Sequence, residues 1–268
     1  MAEGIRTVQA AIAAVGIALA LAGWWWLAHD LPDYVLPGPW DALRAAWAIF
    51  TQPELAWHML VSLVRVCLSV AVAMAIALVL AGLAIRFRFL APIVEQRILV
   101  FFNSFPSVGW AVLGVIWFQI STSTVIFVQV AIILPFCIVN ALAGFRQIDP
   151  DLFELGRSLT RRPLRRFMRL TLPLAMPFLA AGLRIAYGLC WKIALVAELF
   201  GARSGLGYLL MQAQQVADAS MVFGTCLAIV IIYIATDWLV MRKIVAYFSA
   251  NRGSEALGEP VAGHRAEH

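Results

Sequence analysis

The sequence predicts an all-α membrane protein with about six transmembrane helices and both termini in the cytoplasm, and three observations carry that prediction. Hydrophobic residues make up 63% of the 268-residue chain and charged residues only 13%, against about 25% charged in soluble domains. Mean hydropathy is +0.87, which leaves too little polar surface to cover a globular core. The apolar residues also gather into runs near the ~20 residues that span a bilayer, and the arginines gather on alternate connections between the runs.

The first run covers residues 8–28, after Arg6. It exceeds the ~7–15-residue core of a signal peptide, and Trp24-Trp25-Trp26 stands where a cleavage site needs small residues. A retained span is expected, with Trp24–Trp26, Trp40 and Trp57 as an interfacial belt. Residues 29–58 form a linker, and residues 59–85 the second span. The third span is placed at 98–119, within an apolar stretch from Phe89 to Ile120 that is too long for one upright helix and that Glu95, Gln96, Arg97 and Pro106 interrupt. A short interfacial helix, with Glu95 and Arg97 paired at the inner face, then leads into a kinked span. The fourth, fifth and sixth spans cover 122–145, 172–199 and 221–240. The three parts are therefore an N-terminal span and linker (1–58), a core (59–248) with a cytoplasmic loop at 146–171, and a polar tail (249–268) expected to be disordered.

Orientation follows from the basic residues. One side holds Arg6, Arg86, Arg88, seven arginines from Arg146 to Arg169, Arg242, Lys243, Arg252 and Arg265, and the other only Arg44 and Arg203. The rich side is the cytoplasm.

Several chemistries are excluded. The only lysines are Lys192 and Lys243, and neither follows a glycine, so the chain has no Walker-type phosphate loop. Its four histidines are scattered, and Cys67, Cys137, Cys190 and Cys226 lie inside apolar runs as small buried hydrophobes, without metal-ligand spacing. Gly201-Ala-Arg-Ser-Gly205 is not a hydrolase elbow. No acid pair is poised for catalysis, so the chain is not expected to be an enzyme and carries no cofactor or metal of its own.

The loop has folded character. Asp149-Pro150-Asp151 reads as a helix start, with Leu152, Phe153, Leu155 and Leu159 on the helix that follows. Pro163 ends it, and a second helix carries Arg165, Arg166 and Arg169 toward Pro173. On physics alone it is either a docking element or a basic loop that sets topology and binds anionic lipid.

Motifs then narrow the reading. Glu154, the turn position Thr160, and Leu170-x-Leu172-Pro173 resemble the E-A-A-x-x-x-G-x(9)-I-x-L-P loop of binding-protein-dependent ABC importer permeases, with Leu155 and Gly156 at the alanine positions and Thr160 at the glycine. Ser62-Leu-Val-Arg65 resembles the S-L-x-R of the nitrate/sulfonate/taurine branch, and Pro106 with Ile116-Trp117-Phe118 its P-…-L-W-F-G, with Gln119 at the glycine. Asn140–Gly144, Gly182-Leu-Arg184, Trp191, Glu198, Gly201 and Gly205-Leu-Gly207 follow that branch too. The resemblance implies a type I ABC importer permease fold in a bacterial inner membrane. It also implies a permease pair, two copies of a cytoplasmic ATPase that holds the ATP and Mg, and a periplasmic binding protein that delivers a small solute, either an anion of the nitrate, sulfonate or taurine kind or a vitamin or pyrimidine precursor. Leu152, Phe153 and Leu155 would be apolar anchors in an ATPase groove, Glu154 and Arg157 polar contacts, with Thr160 and Pro173 framing the loop.

Charges inside spans suggest function by default. Arg184, Gly188 and Lys192 share a face of the fifth span. They either line an anion pathway or pair with Glu198, Asp237 or partner carbonyls. Arg65 is a pathway lining or an anchor. Asn103, Ser104 and Pro106 break the third helix, which is tolerated where backbone faces protein or a watery cavity. The glycine-rich outer loop, with Glu198, Gly201, Ser204, Gly205 and Gly207, is a binding-protein contact or outer gate, or else a connector closing on the fifth span. Rival classes are a secondary transporter or channel, which no duplicated half or buried acid relay supports, and a non-transporting scaffold.

Overall fold

The computed structural model describes residues 2–148, 162, 165 and 167–247. Among them it contains helices and no strand: α1 (Ala2–Asp30), α2 (Pro39–Thr51), α3 (Pro53–Arg86), α4 (Ile93–Ser104), α5 (Ser107–Phe118), α6 (Thr122–Arg146), α7 (Phe167–Gly201), α8 (Leu206–Gln215) and α9 (Ala219–Tyr247). The helices α1 (from Ala11), α3, α6, α7 and α9 are each long and apolar enough to cross a membrane, and the bent pair α4–α5 makes a sixth passage when counted as one span. Leu152, Phe153, Glu154, Leu155, Arg157 and Thr160, the Asp149-Pro150 helix start and the tail at 249–268 lie outside the described residues.

The third span departs from expectation. It is two short helices meeting at 85° rather than one kinked helix. Pro106 has no N–H to continue the ladder, and Trp110 packs against Phe102 (rings 5.3 Å apart) and Phe105 (4.5 Å) just beyond the break. Asn103, Ser104 and Pro106 are exposed at that corner. Glu95 does not pair with Arg97; it forms an ion pair with Arg146 at the end of α6. The cysteines divide: Cys137 and Cys190 are buried, while Cys67 and Cys226 are exposed.

The chain forms two compact units, each discontinuous in sequence. The first draws on the residues up to Arg65, Ala111–Val125 and Ala194–Ile232, the second on Val66–Trp110, Ile126–Ile193 and the residues from Tyr233 on.

In the first unit, the linker expected between the first two spans contains a helix. In α2, Pro39 takes the first turn after Gly38, Asp41 lies at its positive end, and Ala42, Ala46 and Ile49 are buried. Its other face exposes Trp40, Leu43 and Trp47. The buried face packs so closely on α9 that a Cβ at Gly224 would fall 2.8 Å from the Ala46 nitrogen. Nearby, the Trp24 indole donates to the Pro37 carbonyl at 3.0 Å. The α5–α6 turn is tight: Gln119 has φ of 60°, a left-handed conformation that favours glycine. Thr124 Oγ1 donates to the Gln119 carbonyl, and Ser121 Oγ to that of Phe118 at 2.9 Å.

In the second unit, small residues on α3 (Ala73, Ala77, Ala81, Ala84) are buried, the close-approach packing that membrane helices favour. Gly144 sits against the Phe178 Cβ, and Gly182 against Asn140. Among the described residues, Ile93–Ile98, Phe167–Thr171 and Asp237–Met241 are wound as π-helix. The second joins directly to Leu172, so Pro173 lies in the first turns of the fifth span.

Candidate functional site

The best-formed polar constellation lies within the first unit, where α3, α7 and the loop before α8 meet. Glu198, three residues before the end of α7, is 1% exposed. Ser62 Oγ lies 2.7 Å from Oε2 of Glu198, which also accepts the Gly207 N–H at 2.9 Å, and Arg65 Nη1 donates to Oε1 at 3.1 Å. Arg65 is itself 3% exposed. It donates further to the Ser204 carbonyl at 2.6 Å, to Ser204 Oγ at 3.0 Å and to Thr122 Oγ1 at 2.8 Å. Ser62 Oγ accepts the Leu206 N–H at 2.8 Å, and His58 Nδ1 accepts the Gly205 N–H at 2.9 Å. That bond places the imidazole proton on Nε2. The His58 ring stacks on Tyr208.

Serine and arginine three apart occupy one face of α3, so a single helix presents both to the loop. Gly205 has φ of 113°, and a Cβ there would overlap the Glu198 carboxylate. At Gly207 a Cβ would lie 2.6 Å from the Leu195 carbonyl oxygen. The two glycines let the backbone close over the buried charge pair.

This geometry bears on two pairs of alternatives. Arg65 is buried and its guanidinium is tied to the loop, the arrangement of an anchor. Glu198, Gly201, Gly205 and Gly207 are buried, as in a connector that closes on the fifth span, while Arg203 and, in part, Ser204 are exposed on the loop. The sequence singled out Arg65, Glu198, Ser204, Gly205 and Gly207 separately, and the structure brings them together. It adds His58, Ser62 and Thr122, of which only Ser62 had a signal, in the S-L-x-R motif.

The expected basic stripe on α7, in the second unit, is also reduced. Arg184 Nε and Nη2 each meet an Asp237 carboxylate oxygen at 2.7 Å, a two-pronged pair in which the arginine's charge is answered. Asp237 lies at the start of the π-helical turn of α9. A Cβ on Gly188 would approach the Tyr233 hydroxyl at 3.2 Å. Lys192 stands apart. It is exposed with Ala181, Ile185 and Val196 along one face of α7, and no ion-pair partner for it occurs among the described residues. No group of histidine, cysteine and acidic side chains among the described residues is placed to hold a metal ion.

Broken apolar helices, a long basic loop between two spans and a charge pair buried at a loop define a polytopic transport protein of the permease class. Residues 73–242 match the family of binding-protein-dependent transport system inner membrane components, and the chain belongs to it. It is 32% identical over 220 residues to an ABC transporter permease of Haemophilus influenzae, covering 80% of this chain and 88% of that one. It is 30% identical over 202 residues to the aliphatic sulfonates transport permease SsuC of Escherichia coli, covering 74% and 76%. Permeases named for nitrate, in Synechococcus elongatus, and for taurine, in Escherichia coli, are similar over comparable lengths. The inward-facing MetNI methionine ABC transporter contains a chain with the same fold at 19% identity, with a TM-score of 0.59 over 79% of this chain and 98% of that one. The chain is therefore an ABC importer permease of the nitrate/sulfonate/taurine branch, a multi-pass transport subunit and not an enzyme. ATP hydrolysis is carried by a separate subunit, and the family works with an ATPase and a binding protein.

Proposed function

We propose that two copies of this chain pair in a bacterial inner membrane and carry a small anionic solute inward from a periplasmic binding protein. The observation that supports this most is Lys192. Its face of α7 is uncovered in the single chain, and an ammonium facing hydrocarbon is costly. A second copy and a water-filled path between the two would accommodate it, and the path would then favour anions. Relatives named for nitrate and aliphatic sulfonates point to the same class of solute, and one named for taurine points to a zwitterion that carries the same sulfonate group. ATP and Mg belong to the two partner ATPases, which engage the segment around Leu152, Phe153, Glu154, Leu155 and Arg157. Asn103, Ser104 and Pro106, exposed at the α4–α5 corner, are further candidates for the path.

Two experiments test the reading. A thermal-shift screen of the cognate binding protein against small anions and neutral analogues identifies the solute, since a true ligand stabilises by mass action. Stabilisation only by cations or neutral solutes would contradict the anion assignment. In the assembled transporter, Lys192→Gln is expected to lower anion uptake while the complex still assembles. Unchanged uptake would remove Lys192 from the path.

A further inference from the structure

We propose that the cleft where the basic ends of α3 and α6 meet the start of α4 binds a phosphate-ester oxyanion, supplied by the headgroup of an anionic phospholipid in the cytoplasmic leaflet. The cleft lies wholly within the second unit and has a volume of about 450 Å³. Ile85 and Pro92 form its apolar wall, and Arg88, Glu95, Gln96 and Arg146 its polar one.

The charges are arranged for an anion. Glu95 is committed to Arg146, so it fixes that side of the cleft rather than neutralising Arg88. Arg88 is exposed and has no ion-pair partner among the described residues. The neighbouring Arg86 lies over the Phe87 ring at 5.0 Å and is not among the residues that line the cleft. One guanidinium thus remains for an incoming oxyanion, which it can grip with two N–H bonds. The Gln96 amide stands beside it. Gln96 and Glu95 are carried by the π-helical turn Ile93–Ile98, a rare winding that concentrates at functional positions.

The position selects a lipid over a soluble ester. The cleft opens where α3 and α6 end, at Arg86 and Arg146, the depth at which headgroups meet span ends. Phe87 and Phe89, which flank Arg88 in the chain, and Ile93, next to Pro92, are exposed at 39%, 69% and 46%; apolar side chains so close in sequence to the lining suit acyl chains, and a free phosphate would not need them. The inner leaflet supplies such anionic headgroups next to basic clefts. This inference goes beyond the transport reading and holds whatever the solute is.

Native mass spectrometry of the full transporter, released from vesicles of equal parts phosphatidylglycerol and phosphatidylcholine, tests it. Wild type is expected to retain phosphatidylglycerol in preference. Arg88→Gln is expected to lower that retention about fivefold, Arg88→Lys to restore most of it, and Arg44→Gln on α2 to behave as wild type. Equal retention by wild type and Arg88→Gln overturns the proposal. So does displacement of the adduct by millimolar glycerol phosphate or inorganic phosphate without lipid preference, which would mark a soluble-ester site. Retention seen only after the ATPase is stripped away would instead mark a protein-docking surface and overturn it too.

Discussion

Glu198→Ala is the sharpest perturbation the outer-loop brace offers. The substitution removes the acceptor for Ser62, Arg65 and the Gly207 N–H together. It also leaves Arg65, 3% exposed, with a buried charge and no carboxylate. Breaking a buried pair by removing one partner costs about 3–5 kcal/mol. The loop bonds of Arg65 to Ser204 remain, so most of that cost falls on the closure of the loop over α7 and less on the spans. A shift of that size raises the population of the open loop by roughly a hundred- to several-thousand-fold. Arg203 provides the readout, because it is exposed in the loop and cleavable by trypsin once the backbone opens. Where opening is fast relative to cleavage, the rate of cutting at Arg203 follows the open population. Glu198→Ala is therefore expected to be cut there at least about a hundred times faster than wild type. The double variant Arg65→Met/Glu198→Leu should be cut more slowly than the sum of the single effects predicts, because the uncompensated charge is gone. Equal cutting of wild type and Glu198→Ala, or additive effects in the double variant, would refute the brace.

Two turns give further tests. Gly205→Ala places a Cβ at φ of 113° and onto the Glu198 carboxylate, so it should open the loop in the same trypsin assay and lower the melting temperature of the purified transporter; wild-type behaviour would mean the loop closes another way. Gln119→Gly relieves a left-handed residue at φ of 60° and should raise stability by about 1 kcal/mol, seen as a higher melting temperature; a lower one would show that the Gln119 side chain contributes more than its backbone costs.

Much of this was legible in the sequence, for reasons that differ by element. The spans α3, α6, α7 and α9 stand out because twenty or more apolar residues in a row have few other uses. The family was legible because Glu154, Pro173, Ser62, Arg65 and Glu198 keep fixed spacings. Helix α2 was missed because its buried residues are alanines, which give a weak apolar pattern, and its tryptophans lie on the opposite face, where they read as a belt. The Gly38-Pro39 start and the spacing of Ala42, Ala46 and Ile49 were the available signals. The partners of Arg65, Arg184 and Glu95 could not be read from spacing. Glu198, Asp237 and Arg146 lie 133, 53 and 51 residues away, and only the folded chain decides between a cation that lines a path and one that braces a helix. The right-angled break at Pro106 was foreseen as a kink, since proline announces the break and the packing of Trp110 sets its size.

We propose that this permease receives its energy from a separate ATPase through the loop that contains Glu154. The most direct measurement compares wild type with Glu154→Arg, each reconstituted in vesicles with its ATPase and binding protein, for solute-stimulated ATP hydrolysis and for ATPase retained on purification. A lost partner in a desolvated interfacial pair costs about 2–5 kcal/mol, and the added arginine repels a loop already rich in them. Glu154→Arg is expected to insert normally, to retain its ATPase weakly and to show no solute-stimulated hydrolysis. Wild-type hydrolysis with the ATPase still bound would contradict it.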